Sequence, residues 1–240
     1  MRTKFLLLWL EAPLQSWGAD SKFGRRDSLP FPTKSGVLGL LLCALGQSGE
    51  QKELLAKFVS LKQTVISYAR TEIKEGEAQK ADREPLLRDF HMVGSGYDDT
   101  NPWEKLLIPK TREGKPAVGG GTKLTYRYYL QDAKFAVVLE VPEESAESFA
   151  SALQSPVYDI YFGRKNCVPT DFVYRGIFDN EEAAIERAGV IAREKGCLIE
   201  DFRVTDGEHD NGDVMTLNDI PVQFGEVKRY RDRRVTVIAL

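Results

Sequence analysis

The stretch PLQSWGADSKFGRRDSLPFPTKSGVLGLLLCALG, residues 13–46, decides how this chain folds. It directly follows residues 3–10, TKFLLLWL, an apolar run that predicts a buried first strand. Residues 36–45 are apolar or small and predict a short helix, and Gly46 supplies the left-handed residue that ends it. The stretch therefore joins a first strand to a first helix through a loop rich in charged and aromatic residues.

The turn before this helix places Lys34 between two hydroxyl residues. Pro30 and Pro32 favour an extended approach, and either Thr33 or Ser35 suits the N-cap. One interpretation is a capped helix beside a solvated lysine. The other is an anion site suited to phosphate, because a helix N-terminus presents unpaired N–H groups and a partial positive charge.

Composition limits the class of protein. The chain has 240 residues, 42% of them hydrophobic and 29% charged, which suits one globular domain or two small ones. A net charge of −3 means that any nucleic-acid site must be local. Cys43, Cys167 and Cys197 form no Cys-x-x-Cys spacing, and no signal peptide or membrane span precedes them. We therefore expect a cytoplasmic protein with no membrane partner, no disulfide framework and no zinc site.

Strand and helix patterns alternate along the chain. The order is βαββαβ, which predicts an α+β fold with a ferredoxin-like, or RNA-recognition-motif, core. The predicted strands are residues 3–10, 63–70, 133–141 and 157–162, and the predicted helices are residues 36–45, 49–62 and 142–153.

A long insertion, about residues 71–131, separates the second and third of these strands. It is far too long for a hairpin turn, and a loop of this length inside a compact domain indicates a function. We assign residues 1–162 to the core domain with its insertion. Residues 163–240 form a glycine-rich loop and a small, β-rich C-terminal region with a helical acidic segment near residues 180–195.

Catalytic and metal-binding patterns are weak. The two histidines, His91 and His209, belong to no metal-binding motif. Residues 206–213, DGEHDNGD, lack the glycine and glutamate spacing of a calcium loop, and residues 119–123, GGGTK, lack the spacing of a Walker loop. The sequence therefore predicts no catalytic residues, no metal and no cofactor.

Several motifs, in order along nearly the whole chain, resemble one family. They are residues 12–18 (APLQSWG), 31–41 (FPTKSGVLGLL), 87–91 (LRDFH), 125–130 (TYRYYL) and 161–167 (YFGRKNC). The chain is similar to the CasD family, the CRISPR-associated "Cas five" subunit of type I-E Cascade in the RAMP superfamily.

The resemblance implies a non-catalytic subunit that caps the 5′ handle of crRNA. It implies a projecting β-hairpin "thumb" in the insertion, contacts with the Cascade backbone subunit, the large subunit and other complex members, and an indirect contact with target DNA. Two alternatives remain. A related type I-C protein cuts precursor CRISPR RNA without metal through Tyr, Lys and His, but no Lys-His pair occurs here. The second alternative is a small-ligand enzyme that binds its ligand at the turn around Lys34.

RNA is held by cations at phosphates and by aromatic or guanidinium planes at bases. Trp17 suits either a stacking role or a place in the core, and Gly163-Arg164-Lys165 is similar to the glycine-rich loop that RAMP proteins place near RNA. The basic tail, which contains Lys228 and Arg233, suits RNA, a neighbouring subunit or solvent. The predicted RNA-binding residues are Ser16, Trp17, Arg25, Arg26, Lys34, Ser35, Tyr126, Arg127, Arg164 and Lys165.

Overall fold

The computed structural model of the chain describes residues 2–18, 21, 24–94, 101–117 and 121–240. Gly119 and Gly120 of the glycine run lie outside these residues. No helix in the described ranges is both long and apolar enough to cross a membrane.

The structure contains strands and helices of very different lengths. The helices are α1 (Lys34–Ala44), α2 (Lys52–Lys57), α3 (Pro102–Leu107), α4 (Glu143–Gln154) and α5 (Glu181–Glu194). The strands are β1 (Thr3–Glu11), β2 (Leu14–Gln15), β3 (Trp17–Gly18), β4 (Arg25–Arg26), β5 (Ser28–Leu29), β6 (Gln63–Tyr68), β7 (Thr71–Lys74), β8 (Glu77–Lys80), β9 (Leu87–Val93), β10 (Lys123–Gln131), β11 (Lys134–Pro142), β12 (Tyr174–Phe178), β13 (Glu200–Asp206), β14 (Asp213–Gln223) and β15 (Arg229–Ala239).

The main sheet has seven strands in the order β12-β1-β11-β6-β13-β15-β14, and each strand is antiparallel to its neighbours. Side chains alternate across β1: Leu6 and Leu8 pack in the cluster that includes α1 and α4, whereas Leu7 packs with α5. Burial on both faces explains why residues 5–10 of the first strand are apolar without interruption. The mixed fold, the first strand and the helix α1 are confirmed, while α2 is shorter than predicted.

The predicted strand at residues 157–162 is wrong. This segment is a loop, anchored where the Val157 N–H donates to the Ala44 carbonyl at 2.9 Å. Its apolar pattern reflects burial of Phe162 in the core beside α1, not pairing in a sheet. The strand that pairs with the free side of β1 is β12, further along the chain. Strands from both sides of residue 162 thus share one sheet.

The insertion carries its own small β-structure. β7 and β8 form a hairpin, and β9 pairs with β10 in antiparallel register from Val93↔Lys123 to Leu87↔Tyr129. The short strand β4, from the loop after β1, pairs parallel with β10 on its other side. The insertion is therefore connected at its base to the loop that contains Arg25 and Arg26.

The N-terminus of α1 already binds a carboxylate of the chain itself. Thr33 is the N-cap, and its Oγ1 accepts the Gly36 N–H at 3.1 Å. The backbone N–H of Lys34 donates to Asp219 Oδ2 at 2.8 Å, and Asp219 lies buried on β14. The capped helix is confirmed, but both interpretations of Lys34 are wrong. An internal anion fills the predicted phosphate position, and the lysine side chain is buried rather than solvated.

Asp219 belongs to a buried network of two cations and two carboxylates. The Arg233 guanidinium donates to Asp219 at 2.7 and 2.9 Å and also to Asp206. The Lys34 ammonium donates to the Leu61 carbonyl and lies 3.8 Å from an Asp206 oxygen. Burial lowers the pKa of Lys34, and the negative charge of Asp206 partly offsets this shift. Burial also disfavours the charge on Arg233, but hydrogen bonds to Asp219 and Asp206 raise its pKa.

This network generates a stability prediction. Asp219→Ala leaves the Arg233 guanidinium buried with one carboxylate fewer and removes the acceptor at the α1 N-terminus. We expect the free energy of unfolding to fall by about 3 kcal/mol, since breaking a buried ion pair from one side has a cost of that size. Denaturant melts followed by circular dichroism measure the change.

Asp232→Ala is the matched control, because Asp232 is exposed on β15 and, among the described residues, pairs only with the Asn218 side-chain amide. It should change the unfolding free energy by less than about 0.5 kcal/mol. Equal stability of the two variants would contradict a structural role for the network.

Candidate nucleic-acid interface

The loop that leaves β1 is fixed by a buried glutamine. The Gln15 amide donates to the carbonyls of Leu10 at 3.1 Å and Ala133 at 2.7 Å. Its Oε1 accepts the indole N–H of Trp17 at 3.1 Å. Gln15 therefore determines both the path of the loop and the orientation of the indole, a role that the sequence analysis did not assign.

Trp17 is a core residue. Only 1% of it is exposed, and its ring stacks on Phe162 with centroids 6.0 Å apart. A Cβ on Gly36 would lie 2.9 Å from the indole, so the helix approaches Trp17 closely only because residue 36 has no side chain. Of the two interpretations, burial is correct, and the predicted base-stacking role of Trp17 is wrong in this conformation.

The turn at residues 163–167 packs directly on this loop. Gly163 has a φ of +94°, and a Cβ there would lie 1.8 Å from the Ser16 carbonyl oxygen. The Ser16 N–H donates to the Phe162 carbonyl at 3.0 Å, and its Oγ donates to the Tyr128 carbonyl at 3.3 Å. Ser16 is buried and engaged with the protein, so the proposed direct RNA contact of its side chain is also wrong here.

These packed segments form the floor of a cleft of about 890 Å³. One side of α1 forms a wall, and residues 158–165 and 224–230, which include the start of β15, form others. Its charged lining, within the described residues, consists of four cations and one carboxylate: Arg26, Arg164, Lys165, Lys228 and Asp27. The cleft is therefore locally positive in a chain whose net charge is −3.

The cleft contains six of the ten predicted RNA-binding residues. Of these six, Arg26, Ser35, Arg164 and Lys165 are at least partly exposed, whereas Ser16 and Trp17 are buried. The remaining four, which do not line the cleft, are Arg25, Lys34, Tyr126 and Arg127.

Arg25, Tyr126 and Arg127 lie together at the base of the insertion. In the β4–β10 ladder Arg25 is opposite Tyr126, and Arg26 is opposite Arg127. Arg25 is exposed and donates to the Asp27 carboxylate at 2.7 Å, and hydrogen bonding and the charge of Asp27 raise its pKa. Tyr126 is 46% exposed, whereas the Arg127 Nε donates to the Thr125 hydroxyl at 3.3 Å. These three residues form a second surface beside the cleft.

The cleft residues missing from the predicted set include one cation and three tyrosines: Lys228, Tyr158, Tyr161 and Tyr230. Lys228 was noted only as part of the basic tail. Tyr161 precedes the Gly-Arg-Lys turn, and its hydroxyl donates to the Asp159 carboxylate at 3.3 Å. Tyrosines beside a basic turn are a signal that would have indicated base stacking.

Histidines do not line the cleft in the part of the chain that the structure describes. His91 lies on β9 opposite Thr125, and the His209 ring nitrogen lies 3.1 Å from the Asp206 carbonyl. The Asp206 carboxylate binds the Arg233 guanidinium and is therefore not free to act as a calcium ligand for the loop that follows it. No group of three or more His, Cys, Asp or Glu residues in the described ranges is placed to hold a metal ion.

Comparison with known proteins gives consistent matches. The family model described as "CRISPR-associated protein (Cas_Cas5)" matches residues 5–236. The "CRISPR system Cascade subunit CasD" of Escherichia coli (strain K12) is 30% identical over 178 residues, covering 72% of this chain and 70% of that protein.

Two solved structures are similar over most of the chain. One, titled "CRISPR RNA-guided surveillance complex", has a TM-score of 0.68 and 28% identity and covers 98% of this chain and 89% of that one. The other, titled "Crystal structure of Cas protein", has a TM-score of 0.55 and 25% identity and covers 98% and 94%. The family match spans nearly all of the residues that form the sheet, the insertion and the cleft, and the chain belongs to the CRISPR-associated Cas_Cas5 family.

Proposed function

We propose that this chain is a crRNA-binding subunit of a Cascade surveillance complex and that its cleft holds the 5′ handle of the crRNA. The observation that carries the proposal is the cleft itself, lined by four cations and one carboxylate in a chain of net charge −3. The names of the relatives support it, since one is a Cascade subunit and another belongs to an RNA-guided complex.

Single-stranded RNA needs phosphate contacts and flat surfaces for its bases, and the cleft offers both. Lys165 and Lys228 are both exposed on this lining. Their ammonium groups are therefore available to phosphates. Tyr158, which is 56% exposed, offers a ring on the same lining.

We further propose that the core is ferredoxin-like and that the insertion is a thumb. Support for the core comes from the chain order β1-α1-β6-β11-α4-β12 and the sheet order β12-β1-β11-β6. Support for the thumb comes from the β9–β10 pair and from apolar side chains that the insertion exposes, with Trp103 75% and Leu107 59% exposed. Exposed apolar groups of this size suit contact with a neighbouring subunit.

The first functional prediction concerns the two cleft lysines. Lys165→Ala and Lys228→Ala should each weaken binding of the protein's own CRISPR repeat RNA. Each should also reduce the slope of log affinity against log salt by about 0.7, the value for one phosphate contact on a single strand. Fluorescence anisotropy across a sodium chloride series measures both quantities.

Lys74→Ala is the matched control, because Lys74 is an exposed lysine on β7 that pairs with Glu72 and does not line the cleft. Its affinity and slope should equal those of the parent protein. If the cleft variants also keep the parent slope, the RNA does not lie in the cleft and the proposal fails.

A second prediction separates binding from catalysis. We propose that the chain is not an enzyme, and this is supported by a cleft lining that contains tyrosine and lysine but, among the described residues, no histidine for a Tyr-Lys-His mechanism. Repeat RNA incubated with the purified protein, with or without Mg²⁺, should stay intact on a denaturing gel. A discrete cleavage product that disappears in the Lys165→Ala variant would establish the endoribonuclease alternative instead.

A third prediction concerns the insertion. The double variant Trp103→Ser and Leu107→Ser removes exposed apolar groups from α3, so the thermal midpoint should shift by no more than about 2 °C. Co-purification with the other Cascade subunits should nevertheless be lost.

Ile73→Ser is the control for this variant, because Ile73 is 71% exposed on the separate β7–β8 hairpin. It should assemble as the parent protein does. Normal assembly of the Trp103/Leu107 variant would show that α3 is dispensable for partner contacts.

A further inference from the structure

The Arg164 guanidinium binds groups of the protein itself rather than open solvent. Its Nη1 donates to the Tyr128 carbonyl at 3.1 Å, and its Nη2 donates to the Arg26 carbonyl at 3.0 Å. Its guanidinium carbon lies 4.5 Å from the centre of the buried Tyr129 ring. Three segments that are distant in sequence therefore meet at one side chain: the turn at residues 163–167, β4 and β10.

The geometry of this contact depends on arginine. The two terminal nitrogens form a planar fork that spans two carbonyls, while the flat face packs on an aromatic ring. A lysine would keep the charge but could neither span both carbonyls nor stack in the same way. The Tyr128 carbonyl also accepts the Ser16 hydroxyl, so the contact is continuous with the loop under the cleft.

The turn itself is compact around this residue. The Cys167 N–H donates to the Arg164 carbonyl at 2.8 Å, and the Phe162 N–H donates to the Cys167 carbonyl at 2.9 Å. Lys165 is the next residue and is exposed. Arg26, whose carbonyl Arg164 binds, also lines the cleft. The position of Arg164 thus determines where the charges of its two neighbours point.

We propose that Arg164 is a positioning residue: it fixes the 163–167 turn to β4 and β10 so that Lys165 and Arg26 face the RNA, and its own charge does not bind a phosphate. The inference rests on the proposed RNA-binding function. It revises the sequence interpretation, in which Arg164 is itself a phosphate contact.

The test compares Arg164→Lys, Arg164→Ala and Lys165→Ala with the parent protein. Labelled single-stranded repeat RNA is titrated by anisotropy over a sodium chloride series, with folding checked by circular dichroism. Both Arg164 variants should lose affinity to the same extent, about tenfold, and show the same reduced salt slope, because the fork is lost in each and Lys165 and Arg26 then no longer face the RNA. Lys165→Ala should by itself reduce the slope by about 0.7.

Hydrogen exchange of the free protein gives a second measurement that needs no RNA. Amides in peptides covering residues 16–18 and 162–168 should exchange faster in both Arg164 variants than in the parent. Lys165→Ala should leave these rates unchanged, because its side chain does not fix the turn.

Opposite results overturn the proposal. Near-parent affinity for Arg164→Lys, with a reduced slope for Arg164→Ala, would make Arg164 a phosphate contact. Parent affinity for Arg164→Ala with only a lower melting temperature would make it a stabilising residue alone. Unchanged exchange in the turn would also refute positioning. If the parent binds RNA without salt dependence, the proposed function fails, while the exchange rates still decide whether Arg164 fixes the turn.

Discussion

The structure depends on the contact between Asp219 and the N-terminus of α1. The carboxylate accepts the Lys34 backbone N–H and two hydrogen bonds from Arg233, and it connects residues 185 positions apart in sequence. One buried anion thereby joins the first helix to the last two strands. Because a buried charge without partners is strongly unfavourable, Asp219 needs the Arg233 guanidinium beside it, and Asp206 offsets the second buried cation, Lys34. The C-terminal strands are therefore part of the same packed unit as the N-terminal stretch.

This arrangement also bears on the proposed RNA site. The dipole of α1 is neutralised inside the protein, so its N-terminus is not available to a phosphate. The accessible cations come instead from loops, at Arg26, Lys165 and Lys228, which surround the exposed side of α1. Small residues on that side, such as Gly39, leave the cleft open. A chain with net negative charge thus presents a positive, aromatic-lined surface at the cleft.

Local patterns predicted much of the fold. The apolar run of β1, the Thr33 cap and the Gly46 stop all follow from short-range rules, and the structure has each of them. The edge strand was not predictable in this way, because residues 157–162 and β12 both have strand-like composition and only pairing with β1 distinguishes them. A period of two or of 3.6 residues reports burial, not the partner against which a residue is buried.

The candidate site was predicted in part for the same reason. The basic turn at Arg164 and Lys165 and the loop at Arg26 were identified from composition, and the fold does bring them together. Trp17 and Lys34 are predicted RNA-binding residues because aromatic and cationic residues often bind RNA. Trp17 is instead buried against Gln15 and Phe162. The Lys34 ammonium is buried near Asp206, and its backbone N–H binds Asp219. Lys228 was predicted only as part of a basic tail, since its position depends on the fold of the last strands.

The proposed RNA site is the cleft, and not the N-terminus of α1 or the insertion alone. Ultraviolet crosslinking of repeat RNA to the assembled complex, with the crosslinked residues identified by mass spectrometry, tests this location. Crosslinks are expected within residues 158–165 and 224–230, which form the cleft walls. Crosslinks to this chain that fall only outside these walls, for example on β14 or α5, would contradict it.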